Sequence, residues 1–261
     1  MFGFVYEDSD IEINSIKNYL EKNNVDKINN GIMILSGGCT MFDIAQYFNN
    51  LIALDTNQEQ INLVIEKINL IEKNNINNYK LFLENICMTF DKMFIDLKNG
   101  ETIDKIFGRD NLIKNFGKDA VENTTLNFAL HFKNVYNLKS DYHNFIFNRN
   151  MDKKTINFHK YNNNIDNIKK VKILHNDMIN FLYNSNNTYD FIQTSNISDW
   201  MNNEKFIDLC ILLKNKLNKN GILIMRRMLS DNILDLQFPE CIKIKDKTNI
   251  YTECILWKKL I

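Results

Sequence analysis

The stretch Gly31 to Asp55, GIMILSGGCTMFDIAQYFNNLIALD, constrains the fold more than any other part of the chain. Ile32, Met33, Ile34 and Leu35 form a short apolar run with no polar face, the pattern of a strand buried on both sides of a parallel sheet. The run stops at Ser36-Gly37-Gly38-Cys39, where adjacent glycines let the backbone turn sharply and come close to a ligand. Thr40 to Phe48 then reads as a helix, and Leu51 to Leu54 as a second buried strand ending in Asp55. Asp55 lies 19 residues beyond Ser36, the spacing at which an acidic residue after the second strand of a dinucleotide-type fold binds ribose hydroxyls. The expectation is a β-loop-α-β-Asp unit. Taken alone, the glycines also allow a second reading, a tight connection with no ligand.

The loop departs from the dinucleotide fingerprint. It has no third glycine and no P-loop lysine, so little is there to cradle a pyrophosphate. What remains suits a nucleoside with a small charged tail, and S-adenosylmethionine is the commonest such cofactor on this topology.

The rest of the chain extends the unit. Residues 1–30 precede the first strand; Ile11, Ile13, Ile16, Tyr19 and Leu20 give a helix starting near Asp8 to Asp10. That segment is either an amphipathic flank capped by Asp or Ser, or a lid that turns Tyr6, Glu7 and Asp8 towards the ligand's amino group or the acceptor. After Asp55, Ile61 to Ile71 follow a helical rhythm with Thr56 or Asn57 as cap. Residues 79–164 break the alternation with aromatic helical sequence, read as an insertion over one side of the pocket whose aromatics are core or ligand box. Strands are then expected at Val171 to Leu174, Asp190 to Thr194 and Ile222 to Met225, with helices at Ile179 to Tyr183 and Phe206 to Leu217. Cys241 to Ile244 and Tyr251 to Trp257 read as a closing antiparallel pair. The fold class is α/β, a mostly parallel, doubly wound sheet, in a single domain over residues 1–261.

Ligands of such sheets bind outside the carboxyl ends of the strands. Polar residues recur there: Ser36 to Cys39, then Asp55, Thr56 and Asn57, then Asn176, Asp177 and Met178, then Ser195 to Trp200, then Arg226 and Arg227. Asp55 would accept from ribose, Asp177 from the adenine amino group with Met178 on the ring, and the Gly37 and Gly38 amides would meet the amino-acid tail. Each residue singly could be an ordinary cap or turn.

Composition excludes several classes. At 261 residues and 44% hydrophobic content the chain can build a substantial core. Lys+Arg and Asp+Glu balance at 32 each, so no global field draws it to nucleic acid or anionic lipid. The five cysteines are scattered and never form C-x-x-C, which argues against a disulfide framework or a zinc site and for a reducing compartment. The first ten residues carry acids where a signal peptide has bases, giving the expectation of a cytoplasmic protein, peripheral to a membrane at most.

Four stretches carry a family resemblance: Tyr6-Glu7-Asp8, ILSGGCTMFDIA, ALDTNQEQINLVIEKI and TSNISDWM. They resemble the S-adenosylmethionine:diacylglycerol 3-amino-3-carboxypropyltransferases of betaine-lipid synthesis, with their Trp-Glu-Asp-type entry, Ser-Gly-Gly-Cys-Asn, Asp-x-Asn-x-x-Gln and Ser-Asn-x-x-Asp-Trp. Here Tyr6 replaces the Trp and Thr40 the Asn, and the chain is shorter than that family's. The resemblance implies a Rossmann-like class I methyltransferase fold, a cofactor site that includes Gln60, Ser195 and Asn196, and a lipid or small-molecule hydroxyl acceptor near Tyr6 and Trp200. It also implies attack on the aminocarboxypropyl carbon beside the sulfonium, which needs no metal.

A hydroxyl acceptor gains from a general base. Asp199 is the first candidate, then Asp8 and Glu7. His131 is a further candidate or a structural residue of an aromatic helix, and Arg226 or Arg227 binds an anionic head group or is simply paired. Three functions follow: aminocarboxypropyl transfer, methyl transfer on the same cofactor, and a non-catalytic partner that keeps the fold.

Overall fold

The structure, a computed structural model, describes residues 7–83, 158–228, 234–247 and 251–259. Tyr6, His131 and most of the expected insertion at 79–164 lie outside the described residues.

Seven strands form one sheet: β1 (Ile28–Ile34), β2 (Phe48–Asp55), β3 (Lys172–His175), β4 (Tyr189–Gln193), β5 (Leu217–Arg227), β6 (Ile242–Lys243) and β7 (Glu253–Lys258). Their order is β3-β2-β1-β4-β5-β7-β6, parallel from β3 through β5, with β7 antiparallel to both its neighbours. This is the Rossmann-like sheet of class I methyltransferases, with its switch point between β1 and β4. The antiparallel pair expected at the C-terminus is present, but β7 inserts between β5 and β6 instead of extending the edge.

The helices are α1 (Asp10–Asn23), α2 (Cys39–Ile44), α3 (Gln58–Glu72), α4 (Ile165–Ile168), α5 (Met178–Asn184), α6 (Asn203–Lys216) and α7 (Leu234–Gln237). Further helical turns cover 76–83 and 158–163. Successive strand residues point to opposite faces, so each strand feeds two cores. Met33, Ala53, Phe191, Ile222 and Ile224 pack with α1, α2 and α3 residues such as Ile16, Phe42 and Val64. Ile32, Leu54, Ile192, Leu223 and Met225 pack with Leu182, Leu209 and Leu213 of α5 and α6. A strand buried on both faces cannot alternate in polarity, which is why the continuous apolar runs were legible.

The expected helix Thr40 to Phe48 is shorter. It ends at Ile44, a 3-10 turn covers Ala45–Tyr47, and Phe48 opens β2. The register Ile28↔Phe48 draws Phe48 into the sheet, where its ring lies against Gly31; a Cβ there would sit 2.4 Å from Phe48 Cε1. The α6 helix ends near its expected stop, and β5 begins at once. Lys219-Asn220-Gly221 becomes an irregularity inside that strand, where the β4 register jumps from Tyr189↔Leu217 to Phe191↔Ile222.

Candidate active site

The turn after β1 is fixed from three sides. Ser36 and Gly38 take left-handed backbones (φ 45 and 81), and a Cβ on Gly38 would meet Val64 Cγ1 at 2.9 Å, so glycine is required there. Gly38 N–H donates to Leu35 O at 2.9 Å. Asp55 closes the turn from the end of β2, accepting the N–H of Ser36 and, at 2.9 Å, that of Asn57. Burial raises the Asp55 carboxyl to about 6 despite those two donors. An ionised carboxylate held by two amides keeps lone pairs for hydroxyl donors.

The third support, Lys67 of α3, was missed in the sequence. It is wholly buried and donates from Nζ to Gly37 O at 2.6 Å, with Cys39 Sγ 3.8 Å away. Its helical spacing with Gln60, Val64 and Ile71 placed it on the apolar stripe, so a polar pair, Gln60 and Lys67, on a buried helix face was the available signal. Gln60 is itself 2% exposed.

Across the switch point the turn after β4 carries Ser195, also left-handed (φ 50). A non-glycine residue in that region costs on the order of 1–3 kcal/mol and persists only where its surroundings fix it. Glu7 supplies the fixing. Its carboxylate accepts from Ser195 Oγ, from Gln193 Nε2 at 2.8 Å and from Thr40 Oγ1 at 3.1 Å. Residues 188 positions apart in sequence thereby join the ends of β1 and β4. Burial raises the Glu7 carboxyl to about 7, opposed by Arg226 and reinforced by Glu12.

Behind Glu7 stands Arg226, fully buried. Its Nη1 and Nη2 grip the two Glu12 oxygens, Nε donates to Asp246 at 2.9 Å, Nη2 to Asp8 O at 3.2 Å, and Glu7 Oε2 lies 3.9 Å from Nη1. These carboxylates hold its charge firmly. Arg226 is thus a structural clamp for α1, which matches the paired reading of this residue rather than the head-group one. Asp8 is drawn into the same clamp, its N–H donating to Asp246 at 3.2 Å and its Oδ1 accepting from Asp10 N–H. Neither Glu12 nor Asp246 was anticipated, since a buried acid on an amphipathic helix looks like a surface one in sequence.

The next residue, Arg227, turns to the opposite face. Its Nε donates to Asp199 Oδ1 at 3.2 Å and its guanidinium lies 5.4 Å from the Phe206 ring centroid, but Nη1 is buried without a hydrogen-bond partner among the described residues. Asp199 Oδ2 accepts from Met228 N–H at 2.8 Å and Asn196 Nδ2 at 3.2 Å; burial nonetheless raises its carboxyl above the usual range. Ser198 Oγ is a second buried group without a hydrogen-bond partner among the described residues, and Trp200 ends the same 3-10 turn half-buried.

The β3 end is plainer. Asp177 caps α5, accepting Asn180 N–H at 2.8 Å; Asn176 accepts Asp177 N–H at 2.9 Å; Asn57 caps α3 through Glu59 N–H at 3.0 Å. Asp177 and Asn57 are thus helix N-caps, and Asn176 braces the turn before α5. Thr56 O accepts from His175 Nε2 at 2.9 Å, in the strand pair Asp55↔His175. Met178, expected on the adenine ring, is 1% exposed and packs in the α5–α6 core instead. A polar depression of about 620 Å³, lined by Tyr19, Asn23, Asp26, Lys27 and Asn49 among others, lies at the opposite, amino end of the sheet.

No family model matches the chain, and no curated protein matches it in sequence. Among solved structures it is similar to the rRNA methyltransferase aviRa of Streptomyces viridochromogenes, at 10% identity and TM-score 0.49 over 98% of this chain and 87% of that one. It is also similar to an rRNA methylase of Streptococcus thermophilus, at 8% identity and TM-score 0.46 over 96% of each. A third is the N-methyltransferase NodS of Bradyrhizobium japonicum, solved with S-adenosyl-L-homocysteine, at 7% identity and TM-score 0.43 over 95% and 87%. These likenesses concern the fold alone, which the strand order defines independently. Among the described residues no helix is long and apolar enough to cross a membrane.

Proposed function

We propose that the chain is an S-adenosylmethionine-dependent transferase that moves the 3-amino-3-carboxypropyl group to a hydroxyl acceptor such as diacylglycerol. The observation that carries this reading is convergence. Glu7 bonds to Thr40 and Ser195, and Asp55 to Ser36, so the four stretches of the family resemblance meet at the carboxyl ends of β1, β2 and β4.

The residues present fit the cofactor. Asp55 offers carboxylate oxygens for the ribose hydroxyls, the Ser36 to Cys39 loop is held open to the tail by Lys67 and Asp55, and Asn176 and Asp177 border the adenine side. When bound, the cofactor would supply a sulfonium-activated carbon for the acceptor oxygen, with the electron pair of the cleaved carbon–sulfur bond leaving on sulfur. Asp199 takes the hydroxyl proton; burial raises its affinity for protons, as a general base requires. Arg227, with one nitrogen unpartnered, and Trp200 are the residues we place against the acceptor. Holding the two reactants at attack distance contributes up to roughly 7–11 kcal/mol without any metal.

Incubation with S-adenosylmethionine and lipid extract, followed by mass spectrometry, tests the proposal. Formation of 5'-methylthioadenosine supports it. S-adenosylhomocysteine would instead make the protein a methyltransferase, and failure to bind the cofactor would leave only a non-catalytic role.

A further inference from the structure

The charges around Arg226 do not balance. Among the described residues one fully buried guanidinium faces three buried carboxylates, those of Glu7, Glu12 and Asp246. Glu12 and Asp246 take the close contacts, and Glu7 is left 3.9 Å from the nearest nitrogen. Among the described residues Glu7 has three neutral donors, Thr40, Gln193 and Ser195, and no cation nearer than Arg226.

A second, independent feature lies on the same side chains. The Gln193 amide is oriented by its Nε2 bond to Glu7, and its other end, Oε1, is wholly buried with no hydrogen-bond partner among the described residues. Such an acceptor carries a desolvation cost that a donor removes. An unbalanced carboxylate and an orphaned carbonyl oxygen together lack one thing, a positively charged group with N–H bonds. They stand at the β1–β4 switch point, where Met33 pairs with Gln193.

We infer that Glu7 and Gln193 form an ammonium-binding subsite, occupied by the α-amino group of the cofactor's amino-acid tail. The inference rests on the S-adenosylmethionine reading and deepens it. It gives the N-terminal segment a direct part in cofactor selection: Glu7 supplies the countercharge, Gln193 Oε1 accepts one N–H, and Thr40 and Ser195 hold the carboxylate in place. A nucleoside thioether lacking the amino group leaves Gln193 Oε1 unpaired and Glu7 without its cation.

Calorimetric titration at pH 7.5 tests this with two probes, S-adenosylhomocysteine and its desamino analogue, the adenosine thioether bearing a 3-carboxypropyl arm. Wild-type protein should bind the former roughly 10- to 100-fold tighter, the span expected for charge-assisted hydrogen bonds. Glu7→Gln, which keeps the shape of the side chain, should reduce that preference to a few-fold at most; its melting curve checks folding. Equal affinities in the wild type, which need no variant, overturn the subsite alone. So does a Glu7→Gln protein that keeps the preference. If neither probe binds the wild type, the cofactor reading falls and takes the subsite with it.

Discussion

Arg226 and Arg227 are successive residues of β5, and the alternation of the strand sends them into two different regions. On the α1 face Arg226 is saturated: Glu12 grips both terminal nitrogens and Asp246 takes Nε. On the α6 face Arg227 binds Asp199 through Nε alone and leaves Nη1 unpartnered. A buried ion pair with every nitrogen engaged is architecture, and removing one member leaves uncompensated charge. A buried cation with a spare donor tolerates change better and has something to offer a ligand. The same strand therefore anchors the N-terminal helix with one residue and, in the proposed function, faces the acceptor with the next.

That contrast can be broken by substitution. Arg226→Met strands Glu12 and Asp246 in the core and should cost about 3–5 kcal/mol of stability, read from the urea midpoint. An Arg226→Met protein as stable as wild type would remove the clamp. Asp199→Asn keeps the shape of the other cluster but cannot accept a proton, so turnover should drop about 100-fold or more with the fold intact. Unchanged turnover would end its role as base.

The pH dependence sharpens the comparison further. The Glu7 carboxyl is raised from 4.5 to about 7 by burial, with Glu12 and Asp246 adding to the rise and Arg226 and the Ser195 hydrogen bond opposing it. The folded state then binds the proton more tightly than the unfolded one. Stability of the unliganded protein from this group is full below the unfolded value and falls as pH rises through the interval to about 7, by at most about 3 kcal/mol. Unfolding of wild type and Glu7→Gln at pH 5 and pH 8 measures it; the variant should lose that slope. The smallest effect belongs to Arg227→Met. Asp199 keeps the Met228 and Asn196 donors, so the loss should be about 1–2 kcal/mol, against a larger fall in apparent acceptor affinity.

Legibility in the sequence followed the same divide. Strand interiors were plain because burial on both faces leaves unbroken apolar runs, and the strand ends were plain because polar residues follow those runs at once. The β1 turn was recognised from its glycines, although the positive backbone angles fall on Ser36 and Gly38 and Gly37 contributes its carbonyl. Pairings between distant segments were not legible. Arg226 follows an apolar strand just as a ligand-binding arginine would, and only the folded chain brings Glu12 and Asp246 to it. Lys67 looked like one more helix lysine. Phe48 read as helix because its pull into β2 comes from pairing with Ile28, a contact between strands. Met178 was assigned to the cofactor from its position after β3, whereas the α5–α6 core claims its side chain.

The central claim is that the carboxyl ends of β1, β2 and β4 form one S-adenosylmethionine site, with Asp55 holding the ribose. Titration of S-adenosylhomocysteine into wild type and Asp55→Ala, each at pH 5 and pH 7.5, tests it most directly. The Asp55 carboxyl sits at about 6, so it is ionised at the higher pH and largely protonated at the lower. Wild type should bind at pH 7.5 and several-fold more weakly at pH 5, while Asp55→Ala should bind roughly 10- to 100-fold more weakly at pH 7.5 and lose the part of the pH dependence that Asp55 supplies. Wild-type affinity in Asp55→Ala would contradict the placement of the site, and no binding to wild type at either pH would contradict the account as a whole.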